Sequence, residues 1–126
     1  MAAQPIVHID IPATDPKAAS AFYAAVFGWQ IETPPGFEGY PMFRAEGGPG
    51  GGFAQVGMGM GPEGEQIAVG EVRIYLASQD IEADLRRVQA HGGQVVMPKA
   101  EIPQVGWWAV FRDPSGNKIG LFTSAM

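Results

Sequence analysis

The chain has 126 residues, of which 46% are apolar and 17% charged, and it contains no cysteine. This size and balance are typical of one globular domain, and the lack of thiols excludes disulfides, thiolate metal sites and cysteine nucleophiles. The net charge of −5 offers no footprint for a phosphate backbone, so no nucleic-acid partner is expected. No apolar run approaches the ~20 residues that cross a bilayer, and no leader pattern opens the chain, so we expect a cytoplasmic protein without a membrane partner.

The first half of the chain predicts a strand, a helix and further strands. Residues 6–11 form the first predicted strand, after which Asp15 caps a helix that has Pro16 in its first turn. Gly28 is placed to end this helix, and strands follow at residues 29–32, 40–45 and 53–56. The helix carries an apolar stripe with the spacing i, i+3, i+4 and i+7: Ala19, Phe22, Tyr23 and Val26.

The second half repeats this order of elements. A strand at 71–76 precedes the cap Asp80, a helix with Ile81, Leu85 and Val88 on one stripe, and a strand at 94–97. Turn residues at 113–117 then join strands at 107–111 and 118–122 into a hairpin. The two halves align at an offset of 65 residues, as cap positions 15 and 80 show, which indicates a duplication.

The duplication divides one domain, residues 1–126, into an N-terminal module at about 5–57, a connector at about 58–69 and a C-terminal module at about 70–124. The stretch from 47 to 70 holds ten of the eighteen glycines. It is interpreted either as a flexible connector or as a mobile loop over a pocket.

Five motifs together resemble a known family: VHIDIP (7–12), FY (22–23), VFGW (26–29), IPQVGW (102–107) and DPSGN (113–117). They are similar to the glyoxalase-like branch of the vicinal oxygen chelate superfamily, which includes glyoxalases, bleomycin-resistance proteins and extradiol dioxygenases. The resemblance implies an α+β fold of two tandem βαβββ modules, whose curled mixed and antiparallel sheet forms a cup with the helices outside. It also implies a small-molecule ligand in the cup and a homodimer.

Strand alternation assigns side chains to the two faces of each sheet. If Ile9 faces the first helix, His8 and Asp10 face the cup, and the duplicate strand sends Arg73 and Tyr75 there. The adjacent Trp107 and Trp108 point to opposite faces, so only one of them lines the cup. The predicted ligand-binding set is His8, Asp10, Gln55, Arg73, Tyr75, Trp107, Trp108 and Phe122. The predicted core includes Phe22, Tyr23, Phe27, Phe111 and Leu121, and Met42, Met58 and Met60 are candidates for an adaptable apolar lining.

In metal-dependent members, the resemblance implies a His or similar ligand on the first strand of each module and a Glu or related ligand on each last strand. His8 matches one of these positions, whereas the others fall on Arg73, which has no lone pair to donate, and on Gly120. Gln55 is the one oxygen donor on the last strand of the first half. No cofactor is therefore predicted firmly, and a weakly held divalent metal at His8 and Gln55 stays open.

Three functions are compatible with these residues. The first is a lyase, isomerase or dioxygenase of the glyoxalase type, which needs a metal. The second is a non-catalytic binding protein of the bleomycin-resistance type, anchored by His8 and Arg73. The third is metal-free acid–base catalysis by His8 with Tyr75 or Asp10. Structural roles stand beside each: His8 can bond to Asp10 or Tyr75 within the fold, and Arg73 can pair with Asp10 or Glu71.

Overall fold

The computed structural model describes residues 3–59 and 64–125, which form an α+β fold of eight strands and two helices in the expected βαβββ order. No helix in these residues is long and apolar enough to cross a membrane. The elements are β1 (Ile6–Ala13), α1 (Pro16–Phe27), β2 (Gln30–Glu32), β3 (Met42–Arg44), β4 (Gly51–Gln55), β5 (Arg73–Ala77), α2 (Ile81–Ala90), β6 (Gln94–Ile102), β7 (Gly106–Arg112) and β8 (Lys118–Ser124).

Two compact units, here called the first and second modules, divide the described residues. The first comprises residues 8–59 and 64–72, and the second comprises residues 3–7 and 73–125. The start of the chain belongs to the second module because the Ala77 amide donates to the Pro5 carbonyl at 2.9 Å, and the Gln4 side-chain amide donates to the Ala77 carbonyl at 2.7 Å. All the described residues of the predicted connector, 58–59 and 64–69, group with the first module.

Both helices begin at the predicted caps. The Asp15 carboxylate accepts from the Ala18 amide at 3.2 Å, and the Asp80 carboxylate accepts from the Ala83 amide at 3.0 Å. These bonds satisfy amides that the first helical turn leaves without a partner. Gly28, with φ 72°, ends α1 in the left-handed conformation that glycine adopts without strain.

The modules share one strand arrangement and one register. In the first, the strand order is β2-β3-β4-β1, with β1 and β4 parallel and Asp10 opposite Gly52. In the second, the order is β5-β8-β7-β6, with β5 and β8 parallel and Tyr75 opposite Gly120. Since Asp10 and Tyr75 are 65 residues apart, Gly52 is the counterpart of Gly120.

Each module packs its helix against one face of its own sheet. In the first, Ile9, Ile11 and Ala13 of β1 join Phe43 and Phe53 in the core beneath α1. The second module's helix-facing core centres on four buried residues: Ile81, Leu85, Ala109 and Leu121. Because alternate residues of β1 occupy this core, His8 and Asp10 project from the opposite face, as strand alternation predicts.

The prediction that Phe22 and Phe27 belong to the core is wrong. They are 55% and 62% exposed, whereas Tyr23, a third aromatic of α1, packs against the core and stacks on Trp29 with ring centroids 4.7 Å apart. The sheet covers only the side of α1 that carries Ala19 and Tyr23, so the outer part of the predicted stripe remains in solvent.

The glycine-rich stretch is not a connector throughout, because Gly51 and Gly52 lie in the buried strand β4. A Cβ atom at Gly51 would lie 1.8 Å from the Ile9 carbonyl oxygen, so this close strand pairing requires glycine. Of the three candidate methionines, Met42 lies in β3 and Met58 is exposed at 58%, while Met60 lies outside the described residues.

Candidate functional site

A polar cluster of three side chains, here called the triangle, lies on the face of the first module that points away from α1. His8 Nε2 is 2.5 Å from Tyr40 Oη and 3.1 Å from Asp10 Oδ1, and Tyr40 Oη donates to the same Asp10 oxygen. The Asp10 side chain is 7% exposed and that of His8 is 23% exposed, while Tyr40 is half-buried. The triangle therefore joins a buried carboxylate to two groups that solvent reaches.

Two features of the backbone hold Tyr40 in this position. The Tyr40 amide donates to the Phe37 carbonyl at 2.9 Å, and the carbonyl of the next residue, Pro41, accepts from the Phe53 amide of β4 at 3.0 Å. The Tyr40 ring lies over Gly52, where an added Cβ would be 2.1 Å from Tyr40 Cζ. Glycine at position 52 is therefore what lets the phenol ring reach Asp10.

The contacts of the triangle determine where its protons lie. A carboxylate only accepts, so Asp10 receives hydrogen bonds from both neighbours, and the single Tyr40 proton is used in that bond. With Asp10 ionised and the Tyr40 proton directed at it, the His8 tautomer that completes the contact between Nε2 and Tyr40 Oη is the one with a proton on Nε2. Two donors thus compensate the burial of the Asp10 charge.

The corresponding face of the second module carries a buried apolar cluster. Tyr75 and Trp108 are 5% and 7% exposed, with ring centroids 6.3 Å apart, in a cluster with Met97 and Val110 against which Phe122 packs. Tyr75 covers Gly120, where an added Cβ would be 2.1 Å from Tyr75 Cδ2. Three residues of the predicted ligand-binding set thus form packed structure within their own module.

Trp107 is the tryptophan of the pair that lies on the helix side, in agreement with the prediction that only one lines the cup, whereas Gln55 lies elsewhere than expected. Trp107 packs on the helix side of the second module, and the Lys99 ammonium lies 5.4 Å from its ring centroid. Gln55 is on the same side of β4 as the core residue Phe53, and its amide donates to the Thr14 carbonyl at 3.3 Å. Strand alternation therefore turns Gln55 away from His8, which corrects its assignment as the oxygen donor beside that residue.

Arg73 opens β5 in the second module, where it is 2% exposed. Among the predicted site residues, the triangle brings together His8 and Asp10. Its third member, Tyr40, is not among the predicted site residues: it opens a strand predicted at 40–45, whereas the structure begins β3 at Met42 and leaves Tyr40 in the preceding loop. Gly52, next to the predicted strand at 53–56, is a sequence signal that another group packs closely against the backbone there.

Comparison with known proteins gives the chain a family. The model of the glyoxalase-like domain family matches residues 6–122, which is nearly the whole chain. The chain belongs to the glyoxalase-like domain family. Its fold agrees with that of a solved glyoxalase/bleomycin resistance/dioxygenase superfamily member from Vibrio splendidus 12B01, with a TM-score of 0.64 at 15% identity over 97% of this chain and all of that one.

Two curated relatives are similar to this glyoxalase-like chain over 90% of its length. "Putative glyoxylase CFP32" of Mycobacterium bovis is 32% identical over 118 residues, which are 43% of that protein. "Anthracycline biosynthesis protein DauV" of Streptomyces sp. (strain C5) is 31% identical over 122 residues, 44% of its length. The chain therefore spans less than half the length of these relatives.

The donor set of this glyoxalase-like chain does not fit the metal that the superfamily implies. The register makes Gly52 the first-module counterpart of Gly120, so both last-strand positions lack any donor atom, and a tyrosine ring fills the space at each. Within residues 3–59 and 64–125, no three His, Asp or Glu residues lie close enough together to hold a metal ion. A catalytic zinc or non-haem iron site needs about three protein ligands.

Proposed function

We propose that this glyoxalase-like chain binds a small, oxygen-bearing organic molecule without a metal ion, and that His8 and Tyr40 contact that molecule. The observation that carries the proposal is the triangle itself, in which a buried carboxylate is linked to a half-buried phenol and a partly exposed imidazole. Such convergent polar groups, on a face that includes the side chain of Met42, are typical of small-molecule sites. A relative named for anthracycline biosynthesis supports a role in small-molecule metabolism.

The triangle favours a ligand with carbonyl or hydroxyl oxygens. The Tyr40 oxygen, whose own proton is directed at Asp10, can accept from a ligand hydroxyl, and once it releases that bond the phenol can donate to a ligand carbonyl oxygen. A strongly anionic group beside the buried Asp10 carboxylate would be repelled, so a neutral ligand is favoured. The metal-dependent lyase, isomerase and dioxygenase reactions receive no support from the donor set.

A ligand screen on chelator-treated protein tests this proposal. Thermal unfolding of the full chain would be followed with a library of small ketones, hydroxyketones and phenols in the presence of EDTA. A ligand at 100 times its Kd stabilises by about 2.7 kcal/mol. Tyr40→Phe, which removes one hydroxyl, is expected to weaken binding about tenfold, since one such bond contributes roughly 0.5–1.5 kcal/mol.

The matched control is Tyr75→Phe, because it removes the same hydroxyl from the tyrosine over the counterpart glycine of the second module. Each variant is compared with its own ligand-free unfolding temperature. Equal loss of affinity in both variants would contradict the assignment of the site to Tyr40. Stoichiometric metal in the purified protein, with ligand binding that EDTA abolishes, would contradict a metal-free site.

A further inference from the structure

The triangle contains more than is needed to anchor a ligand, because its phenol already directs its proton at a buried carboxylate. We propose that Tyr40 is a catalytic residue that relays a proton between the ligand and Asp10, so that the chain catalyses metal-free proton transfer at a carbon next to a carbonyl group. This inference rests on the proposed function, since it requires a small carbonyl compound bound against the triangle.

The step balances without an oxidant, a reductant or a metal. The C–H bond beside the ligand's carbonyl breaks, and its proton goes to Tyr40 Oη while the proton of Tyr40 goes to Asp10 Oδ1. The electron pair of the broken bond becomes part of an enolate on the ligand, and Asp10 becomes a neutral carboxylic acid. The reverse step returns a proton to carbon: exchange with water in between replaces the hydrogen, and return of the proton to another carbon or to the opposite face isomerises the ligand.

Burial explains why the carboxylate needs a relay. The Asp10 side chain is 7% exposed, whereas Tyr40, which bonds to it, is half-buried, so the proposed relay takes the proton from the ligand through Tyr40. His8 serves as a positioning residue, because its Nε2 proton is shared between Tyr40 Oη and Asp10 Oδ1 and holds both oxygens in line. General acid–base catalysis by such a positioned side chain contributes about 10²–10⁴ to a rate.

The second module offers a comparison within the same chain. Its buried carboxylate, Asp84, accepts from Ser78 Oγ at 2.6 Å and from the Gln4 amide at 2.9 Å, and it pairs with the Arg87 guanidinium. These partners make Asp84 a structural anchor at the start of α2. Its tyrosine, Tyr75, packs instead in the cluster with Trp108 and Met97, a different cluster from the one beneath α2.

Deuterium exchange tests the relay directly. Hydroxyacetone, dihydroxyacetone and acetone would each be incubated in D₂O with EDTA-treated full-length protein, and loss of the C–H signal would be followed by proton NMR. Wild-type protein is expected to exchange at least one of them faster than buffer does. Tyr40→Phe and Asp10→Asn should each reduce the protein-dependent rate about 100-fold.

Two variants serve as controls. Tyr75→Phe should exchange at the wild-type rate, because Tyr75 is buried in the second module's core cluster with Trp108 and Met97. His8→Gln, which keeps an N–H donor for both oxygens, should lose less activity than Tyr40→Phe. Each variant's fold is checked by its amide NMR spectrum, so that loss of exchange is not loss of structure.

The outcomes separate the relay from binding. Exchange that survives in Tyr40→Phe, exchange that EDTA abolishes, or no exchange above buffer with any of the three compounds would overturn the relay. Ligands that bind in the thermal screen without any such exchange would leave the proposed binding function in place. Exchange that follows Tyr40 and Asp10 together supports both.

Discussion

The two modules place a tyrosine ring over the same glycine of the sheet, yet the two rings have different surroundings. Tyr40 over Gly52 is half-buried and bonded to His8 and Asp10, whereas Tyr75 over Gly120 is buried in an apolar cluster. Tyr75 is part of β5 itself, while Tyr40 comes from a loop. The two modules therefore share the register of the backbone, but this face carries the triangle in the first module and a packed apolar cluster in the second.

The largest expected difference between the modules follows from substituting the paired glycines. Gly120→Ala forces a methyl group into the buried Tyr75 ring, and such overpacking typically costs about 1–3 kcal/mol. Gly52→Ala meets a half-buried ring that can move outward, so its cost in unfolding free energy should be smaller. Urea denaturation of both variants measures the difference.

Gly52→Ala and Gly120→Ala also distinguish an effect on stability from an effect on ligand binding. Displacing Tyr40 in Gly52→Ala should weaken ligand binding and exchange, while Gly120→Ala, if folded, should leave both at wild-type values. An equal loss of stability in the two variants, or loss of binding only in Gly120→Ala, would show that this comparison of the modules is wrong.

The helices differ on their outer faces, and this difference suggests where the expected homodimer would form. Phe22, Val26 and Phe27 of α1 are all more than half exposed, whereas the exposed positions of α2 include Glu82 and Arg86. We propose that α1 contributes the dimer surface, because large exposed apolar side chains at one place favour association. Phe22→Asp should then shift the solution mass from dimer to monomer by light scattering, and Glu82→Ala should not. A wild-type monomer at micromolar concentration would contradict this.

A smaller effect concerns the hairpin turns before β4 and β8. Asn117 donates to the Asp113 carboxylate from its side chain and also from its backbone N–H. The side-chain bond is the larger cause, and together they lower the pKa of this exposed carboxyl below its ordinary value of 3.8. The ionised form is favoured in the folded protein, so its stabilisation is present above pH ~3.8 and is lost as pH falls through the lowered value. The first module's turn relies instead on Gly47, with φ 85°.

The unfolding temperature of wild type and Asp113→Asn, measured from pH 2 to 7, checks this. The wild type should be slightly more stable at neutral pH, and the two should converge in acid. A constant difference across the range would mean that the Asp113 charge contributes nothing to the turn.

Much of the fold could be predicted from the sequence because its signals are local. The caps Asp15 and Asp80, the stop at Gly28 and the hairpin at 113–117 act through their own backbone neighbours, and each lies where expected. Strand alternation likewise placed His8 and Asp10 on the face opposite the core.

The rest depended on contacts between residues distant in the chain. Tyr40 bonds to Asp10, which lies 30 residues earlier in the chain. The pairing of Gly52 with Asp10 depends on how β1 and β4 come together in the folded chain. Without that pairing Gln55 is the predicted counterpart of Gly120, although it lies three positions beyond Gly52 in β4. The exposure of Phe27 likewise reflects how much of α1 the sheet covers, which helical spacing does not determine.

The protonation of His8 tests the central claim most directly. Long-range nitrogen-15 NMR of the EDTA-treated protein at neutral pH distinguishes the two ring nitrogens of His8 from those of His91, and His8→Gln assigns them. The triangle predicts a proton on Nε2 of His8, and Tyr40→Phe should change its chemical shift while Tyr75→Phe leaves it unchanged. An unprotonated Nε2, or a shift that responds to added zinc and not to Tyr40→Phe, would contradict the account.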